Sequence, residues 1–178
     1  IGANRELLQM MSYEPMLIIA VLGFYMIPGI DSFRVAKIVQ TDLPVLAYLP
    51  GVFIGFLFIL TIKLRKSPFD LSSSHHGHQE LVKGVTTDIS GRDLAVFEIA
   101  HLYENTIILG LVYLFFAWLP VWAGVPLTLV ISFLEVYIDN THARLKWQQT
   151  VKSSWIVAGT FGALNLLVLS ILVYYSKI

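Results

Sequence analysis

Apolar residues dominate about five stretches of this chain, at residues 7–27, 44–62, 94–118, 121–138 and 155–175, with polar runs between them. A helix rises about 1.5 Å per residue, so roughly 20 apolar residues cross a ~30 Å hydrocarbon core. In lipid the backbone must satisfy its own polar groups, which leaves helices or a closed barrel. Continuous rather than alternating apolar runs select helices. The first run ends at Pro28-Gly29, a pair that stops a helix. The fourth is the weakest, because Pro126 interrupts it. It leans on the turn between Trp118 and Trp122, whose indoles suit a membrane interface. The pattern predicts a single-domain, all-α membrane protein of about five transmembrane helices, with polar loops at 63–93 and 139–154.

Composition sharpens that picture. Apolar residues make up 56% of the 178 and charged residues 13%, against about a quarter in soluble domains. Net charge is zero, which removes the electrostatic case for nucleic acid. With no cysteine, the chain has no disulfide, thiolate zinc site or cysteine-bound iron–sulfur cluster. Ile1 in place of an initiator Met, and a start without the basic and apolar regions of a signal peptide, read as the interior or C-terminal part of a longer protein.

Basic residues set an expected orientation. Arg5, Lys63, Arg65, Lys66, Lys83, Arg92, Arg144, Lys146 and Lys152 fall on one side of the alternating spans, against Arg34, Lys37 and Lys177 on the other. The positive-inside rule places the first group, and with it both long loops, in the cytoplasm.

Charges within the spans are the candidates for function. Glu14 lies midway along the first run, and Glu98, His101 and Glu104 recur every three residues along the third. Glu135 stands one turn before the end of the fourth. An ionised carboxylate in a bilayer costs several kcal/mol, so such groups face a bundle interior or a wet cavity. These five are candidates for an ion path, although Glu98 and Glu135 also suit ordinary solvation near an interface. The loop from Lys66 to Gly84 gathers Asp70, His75, His76, His78 and Glu80. Imidazoles beside a carboxylate suit zinc or nickel, but this spacing is no established ligand signature, and the expectation is no metal on this chain. Proton buffering or partner docking is the favoured reading, since histidine titrates near neutrality, with a plain solvated loop as the alternative. Phosphate-binding glycine loops, nucleophile elbows and dinucleotide fingerprints are absent, so the chain is not expected to catalyse a reaction alone.

Four blocks resemble a known family. Arg5, Gln9 and Ser12-Tyr13-Glu14 match its R-x-x-x-Q-x-x-SYE helix. Pro68-Phe69-Asp70-Leu71 and Glu80-Leu81-Val82-x-Gly84 match its signature loop. Ser90-Gly91 with Phe97 resembles the start of the next helix, and residues 144–155 resemble the basic loop before the last one. The family is the membrane subunit that anchors the hydrophilic arm of respiratory complex I (the H-type subunit of NADH-quinone oxidoreductase) and of energy-converting nickel–iron hydrogenases. The resemblance implies that this chain is the C-terminal part of an eight-helix subunit in the cytoplasmic membrane of a prokaryote.

Departures from the complex I pattern steer the expectation within that family. Ser72, Ser73 and Ser74 precede the histidines where complex I members carry acids, the family's EYSG reads Asp88-Ile89-Ser90-Gly91, and its A-E-Y acid falls at His101. A Ser/His loop resembles the Ech-type hydrogenase branch, which uses ferredoxin and protons rather than quinone. That likeness implies a non-catalytic subunit of a ferredoxin:proton hydrogenase. Its partners would be the hydrogenase large and small subunits, an iron–sulfur subunit and an antiporter-like membrane subunit, and it would export protons or sodium. The nickel–iron centre and iron–sulfur clusters would then sit on those partners, with no cofactor here. By the same likeness Asp70, His75, His76, His78, Glu80 and Asp88 form a coupling and docking loop. Glu14, Glu98, His101, Glu104 and Glu135 carry charge inward, and Arg65, Lys66, Arg92 and Arg144 anchor the soluble arm or lipid headgroups. The alternatives are a complex I quinone-chamber subunit, a stand-alone transporter and a purely structural anchor.

Overall fold

In the computed structural model the described residues are 2–30, 35–39, 41, 43–63, 89–141 and 146–176. Every regular element among them is helical: α1 (Gly2–Met26), α2 (Val35–Val39), α3 (Val45–Tyr48), α4 (Pro50–Lys63), α5 (Gly91–Phe115), α6 (Val121–Thr141), α7 (Trp147–Val157), a π-helical turn (Ala158–Ala163) and α8 (Leu164–Ser176). Gly91–Phe115, Val121–Ile138 and Gln148–Tyr175 are long and apolar enough to cross a membrane, and Met10–Met26 and Pro50–Lys63 are shorter apolar helices. The chain is an integral membrane protein.

Local chemistry explains where the helices stop. α1 closes in a turn from Ile27 to Ile30, with Pro28 fixing its own φ and Gly29 at φ +86°, a value L side chains rarely adopt. α5 gives way to α6 through a tight turn in which Leu119 N–H bonds the Phe116 carbonyl, and the Pro120 carbonyl accepts from Ala123 and Gly124 N–H. The flanking Trp118 and Trp122 are exposed, as interfacial anchors would be. Pro126 does not break α6, which runs unbroken to Thr141. Thr128 and Ser132 fold their hydroxyls back onto the carbonyls one turn earlier, at 3.0 Å each.

The structure departs from the apolar pattern at two places. The run at 44–62 is divided: α3 ends at Tyr48, Leu49 leaves helical geometry, and α4 restarts at Pro50. The run at 155–175 belongs to a longer helical segment that starts at Trp147 and widens into a π turn at 158–163. These irregularities meet. Asn165 Oδ1 accepts from Val52 N–H (3.1 Å) and its Nδ2 donates to the Tyr48 carbonyl (3.2 Å), so one side chain serves backbone groups on both sides of the break. A broken helix is tolerated in lipid only when a neighbour supplies such partners.

The core forms where α1, α4 and the α7–π–α8 segment pack together. Small residues permit close approach: a Cβ at Gly51 would lie 2.6 Å from the Phe161 carbonyl oxygen, and one at Gly55 would lie 2.6 Å from Met16 Cε. Met16, fully buried, also lies against Gly162, filling the junction of the three elements. Pro15 leaves the Met11 carbonyl without its usual donor, and one residue on the buried Ser154 hydroxyl donates to the Ser12 carbonyl. The α5–α6 pair joins this core through Phe115, whose ring meets Phe24 and Phe53 at 5.1 Å and Phe56 at 6.1 Å.

Candidate functional site

α4 ends on a lysine that does not leave the bundle. Lys63 follows the apolar run through Ile62, and its side chain is 8% exposed. Its ammonium donates to the Tyr13 hydroxyl at 2.9 Å and stands 4.0 Å from the centre of the same ring. It also donates to Glu104 Oε1, forming an ion pair between α4 and α5. Glu104 Oε2 lies 3.5 Å from His101 Nδ1, and the His101 ring stands edge-on to Phe97 with centroids 4.6 Å apart. His101 Nε2 is buried without a hydrogen-bond partner among the described residues.

The helices dictate this meeting. Glu104 lies about 20 Å along α5 from Gly91 at helical rise, near the middle of a segment long enough to span. The apolar part of α1 begins at Met10 and that of α4 ends at Lys63, so Tyr13 and Lys63 meet near one end of both apolar stretches. Tyr13, Lys63, Glu104 and His101 form one continuous string of polar groups that runs from the buried ammonium out to a partly exposed carboxylate. A buried ammonium is supportable only with a counter-charge, which Glu104 supplies. The string alternates proton-bearing and proton-accepting groups and ends on an unused imidazole nitrogen. It can hold a proton, hand one on, or respond to a charge change nearby.

The other candidates are placed separately. Glu135 on α6 is 4% exposed, and its Oε2 has no hydrogen-bond partner among the described residues. Of the remaining ion-path candidates, Glu14 on α1 and Glu98 on α5 are exposed. Arg92 is exposed at the start of α5. Asp70, His75, His76, His78, Glu80, Asp88, Arg65, Lys66 and Arg144 lie outside the described residues. Sequence reasoning missed Tyr13 and Lys63 as site residues. Lys63 read as an ordinary membrane-flanking cation, and Tyr13 as part of a motif whose acid drew attention. The available signal was the lysine that directly follows the apolar run at 44–62.

The sequence profile of the family described as NADH dehydrogenase matches residues 1–170. The chain belongs to this family. Among its relatives are H subunit 1 of the NADH-quinone oxidoreductase of Geobacter metallireducens, 31% identical over 94% of this chain, and H subunit 2 of that of Geobacter sulfurreducens, 32% identical over 94%. The corresponding H subunit of Brevibacillus brevis is 31% identical over 99% of it. The chain spans about half the length of these relatives, 52% of the first two and 55% of the third. No solved structure matches it. For this member of the NADH dehydrogenase family, the Tyr13–Lys63–Glu104–His101 string lies wholly within the matched region.

Proposed function

We propose that this chain is a membrane subunit of a complex I-like NADH-quinone oxidoreductase, and that it couples electron transfer in partner subunits to ion movement through the membrane. The names of its relatives support this over the hydrogenase role that the Ser/His loop implied. The observation that carries the coupling role is the Lys63–Glu104 ion pair between α4 and α5, its ammonium buried and joined to Tyr13, its carboxylate beside His101. With redox centres on partner subunits of a bacterial inner-membrane complex, this chain contributes protonation and charge.

The coupling is electrostatic. A unit charge appearing about 10 Å away changes the energy of a site by roughly 1.7 kcal/mol at an effective dielectric of about 20, which is more than tenfold in a protonation equilibrium. Lys63 and Glu104 hold opposite charges in balance, so a new charge at the docking face favours one of them over the other. His101 stands against Glu104 to take or release the compensating proton.

The test is simultaneous measurement of quinone reduction and proton uptake in membranes carrying the complex, for the parent, Glu104→Gln and Lys63→Met. The expected outcome is proton translocation lowered about tenfold or more with quinone reduction reduced far less. Equal loss of both, or unchanged pumping, removes the pair from the coupling. One feature keeps the hydrogenase reading as second: Ser72, Ser73 and Ser74 followed by His75, His76 and His78. Nickel co-purifying with the complex, and hydrogen evolved from reduced ferredoxin in place of quinone reduction, would establish that reading instead.

A further inference from the structure

α6 buries one carboxyl group for which the described residues supply no partner. Its inward face carries Gly124, Thr128, Ile131 and Glu135, all buried, with Ser132 half-buried beside them. Thr128 gives its hydroxyl hydrogen to the Gly124 carbonyl and Ser132 gives its own to the Thr128 carbonyl, at 3.0 Å each. Both hydroxyls are left with lone pairs rather than hydrogens to offer. α6 packs against α5 and α4. On α4 the buried Thr61 hydroxyl is likewise spent, on the Phe58 carbonyl at 2.6 Å, and Lys63 is held by Tyr13 and Glu104. On α5 His101 stands against Glu104, while Arg92, Asp93 and Glu98 are exposed. Glu135 is 4% exposed, and its Oε2 has no hydrogen-bond partner among the described residues.

An ionised carboxylate with neither donor nor counter-charge is too costly to keep buried, so positive charge must accompany it. Glu135 lies three residues before Ile138, where the stretch long enough to span ends, so about 5 Å of helix separates it from that end. We propose that Glu135 is the carboxylate of an ion site on α6, which takes one small monovalent cation, a proton or a sodium ion, from the water at that end of the helix. A carboxyl oxygen on a face whose hydroxyls offer only lone pairs suits a small hard cation. The Lys63–Glu104 pair differs in kind, because there the carboxylate already has its cation built in. Arrival of an ion at Glu135 rests on the ion-moving role proposed above, whereas occupancy of the site is read with no electron transfer under way. A failed Lys63–Glu104 coupling and a failed Glu135 site therefore give different results.

The test treats membranes carrying the full complex, without electron donor, with dicyclohexylcarbodiimide. This apolar reagent adds whole to a protonated carboxyl, giving an N-acylurea with nothing lost, and mass spectrometry maps the adduct to its peptide. Glu135 is expected to be labelled at acid pH with potassium as the alkali cation present. If sodium is the ion, sodium at about ten times its dissociation constant lowers the labelling about tenfold at fixed pH, because bound sodium excludes the proton. If the proton is the ion, sodium has no effect and labelling falls with rising pH alone. Either pattern supports the site and names its ion. Absence of an adduct at Glu135 would overturn the proposal, since the carboxyl would then be paired and closed to ions. An adduct whose yield answers to neither pH nor sodium would overturn it too, by making Glu135 a fixed structural acid.

Discussion

At the scale of single residues, the chemistry rests on an ammonium and a carboxylate that stabilise each other where water is scarce. Lys63 is nearly buried while Glu104 is 44% exposed, so removing either leaves the other in an unequal position. Lys63→Met leaves Glu104 free to find water, whereas Glu104→Met strands a buried cation, which is the costlier loss. The coupling from a double-mutant cycle is expected at about 1–2 kcal/mol, the lower part of the range for charged hydrogen bonds because Glu104 is partly solvated. Thermal unfolding of the four variants in detergent measures it, and a coupling near zero would mean the pair is incidental. Part of this site was legible in the sequence. Three-residue spacing put His101 beside Glu104, and the structure shows that contact. The same spacing also grouped Glu98 with them, yet each step of three turns the side chain back by about 60°, so Glu98 and Glu104 diverge by about 120°. Only packing decides which of the two turns inward.

At the scale of elements, the informative feature is the paired irregularity of α3–α4 and the π turn. Pro50 has no N–H to continue the helix, which marks the break in sequence. Nothing in the sequence marks Asn165 as its partner, since 113 residues separate it from Val52. Asn165→Ala is expected to destabilise the bundle by about 2–4 kcal/mol, because both the Val52 N–H and the Tyr48 carbonyl lose their side-chain partner. Asn165→Asp keeps the acceptor for Val52 but loses the donor to Tyr48, and should fall between Ala and the parent. Thermal midpoints of the three proteins in one detergent check the order; an Ala variant as stable as the parent would show that the amide is dispensable.

At the scale of the whole molecule, α1, α4 and the α7–π–α8 segment form one packed unit, and α5–α6 is attached to it largely through aromatic rings. Phe115 is the central attachment, fully buried between Phe24, Phe53 and Phe56. Phe115→Ala should cost about 3–5 kcal/mol. The loss should appear first as faster amide hydrogen exchange in α5 and α6, with α1 and α4 still protected. Uniform deprotection of all helices would instead make the bundle a single cooperative unit. The attachment also governs the site, because Glu104 reaches Lys63 only while α5 stays docked.

Hydrophobic run length alone settled that this protein is helical and lies in a membrane, because the demand for internal backbone hydrogen bonds in lipid admits few other forms. The motif blocks around Glu14, Asp70 and Glu80 pointed to its family without any coordinates. Which polar groups meet was decided by tertiary packing. Lys63 bonds Tyr13 and Glu104, Asn165 bridges a broken helix, and Glu14 faces outward, because these outcomes depend on how helices rotate and approach through Gly51, Gly55 and Gly162. A one-dimensional pattern records which residues share a helix face, but not which neighbour that face will find.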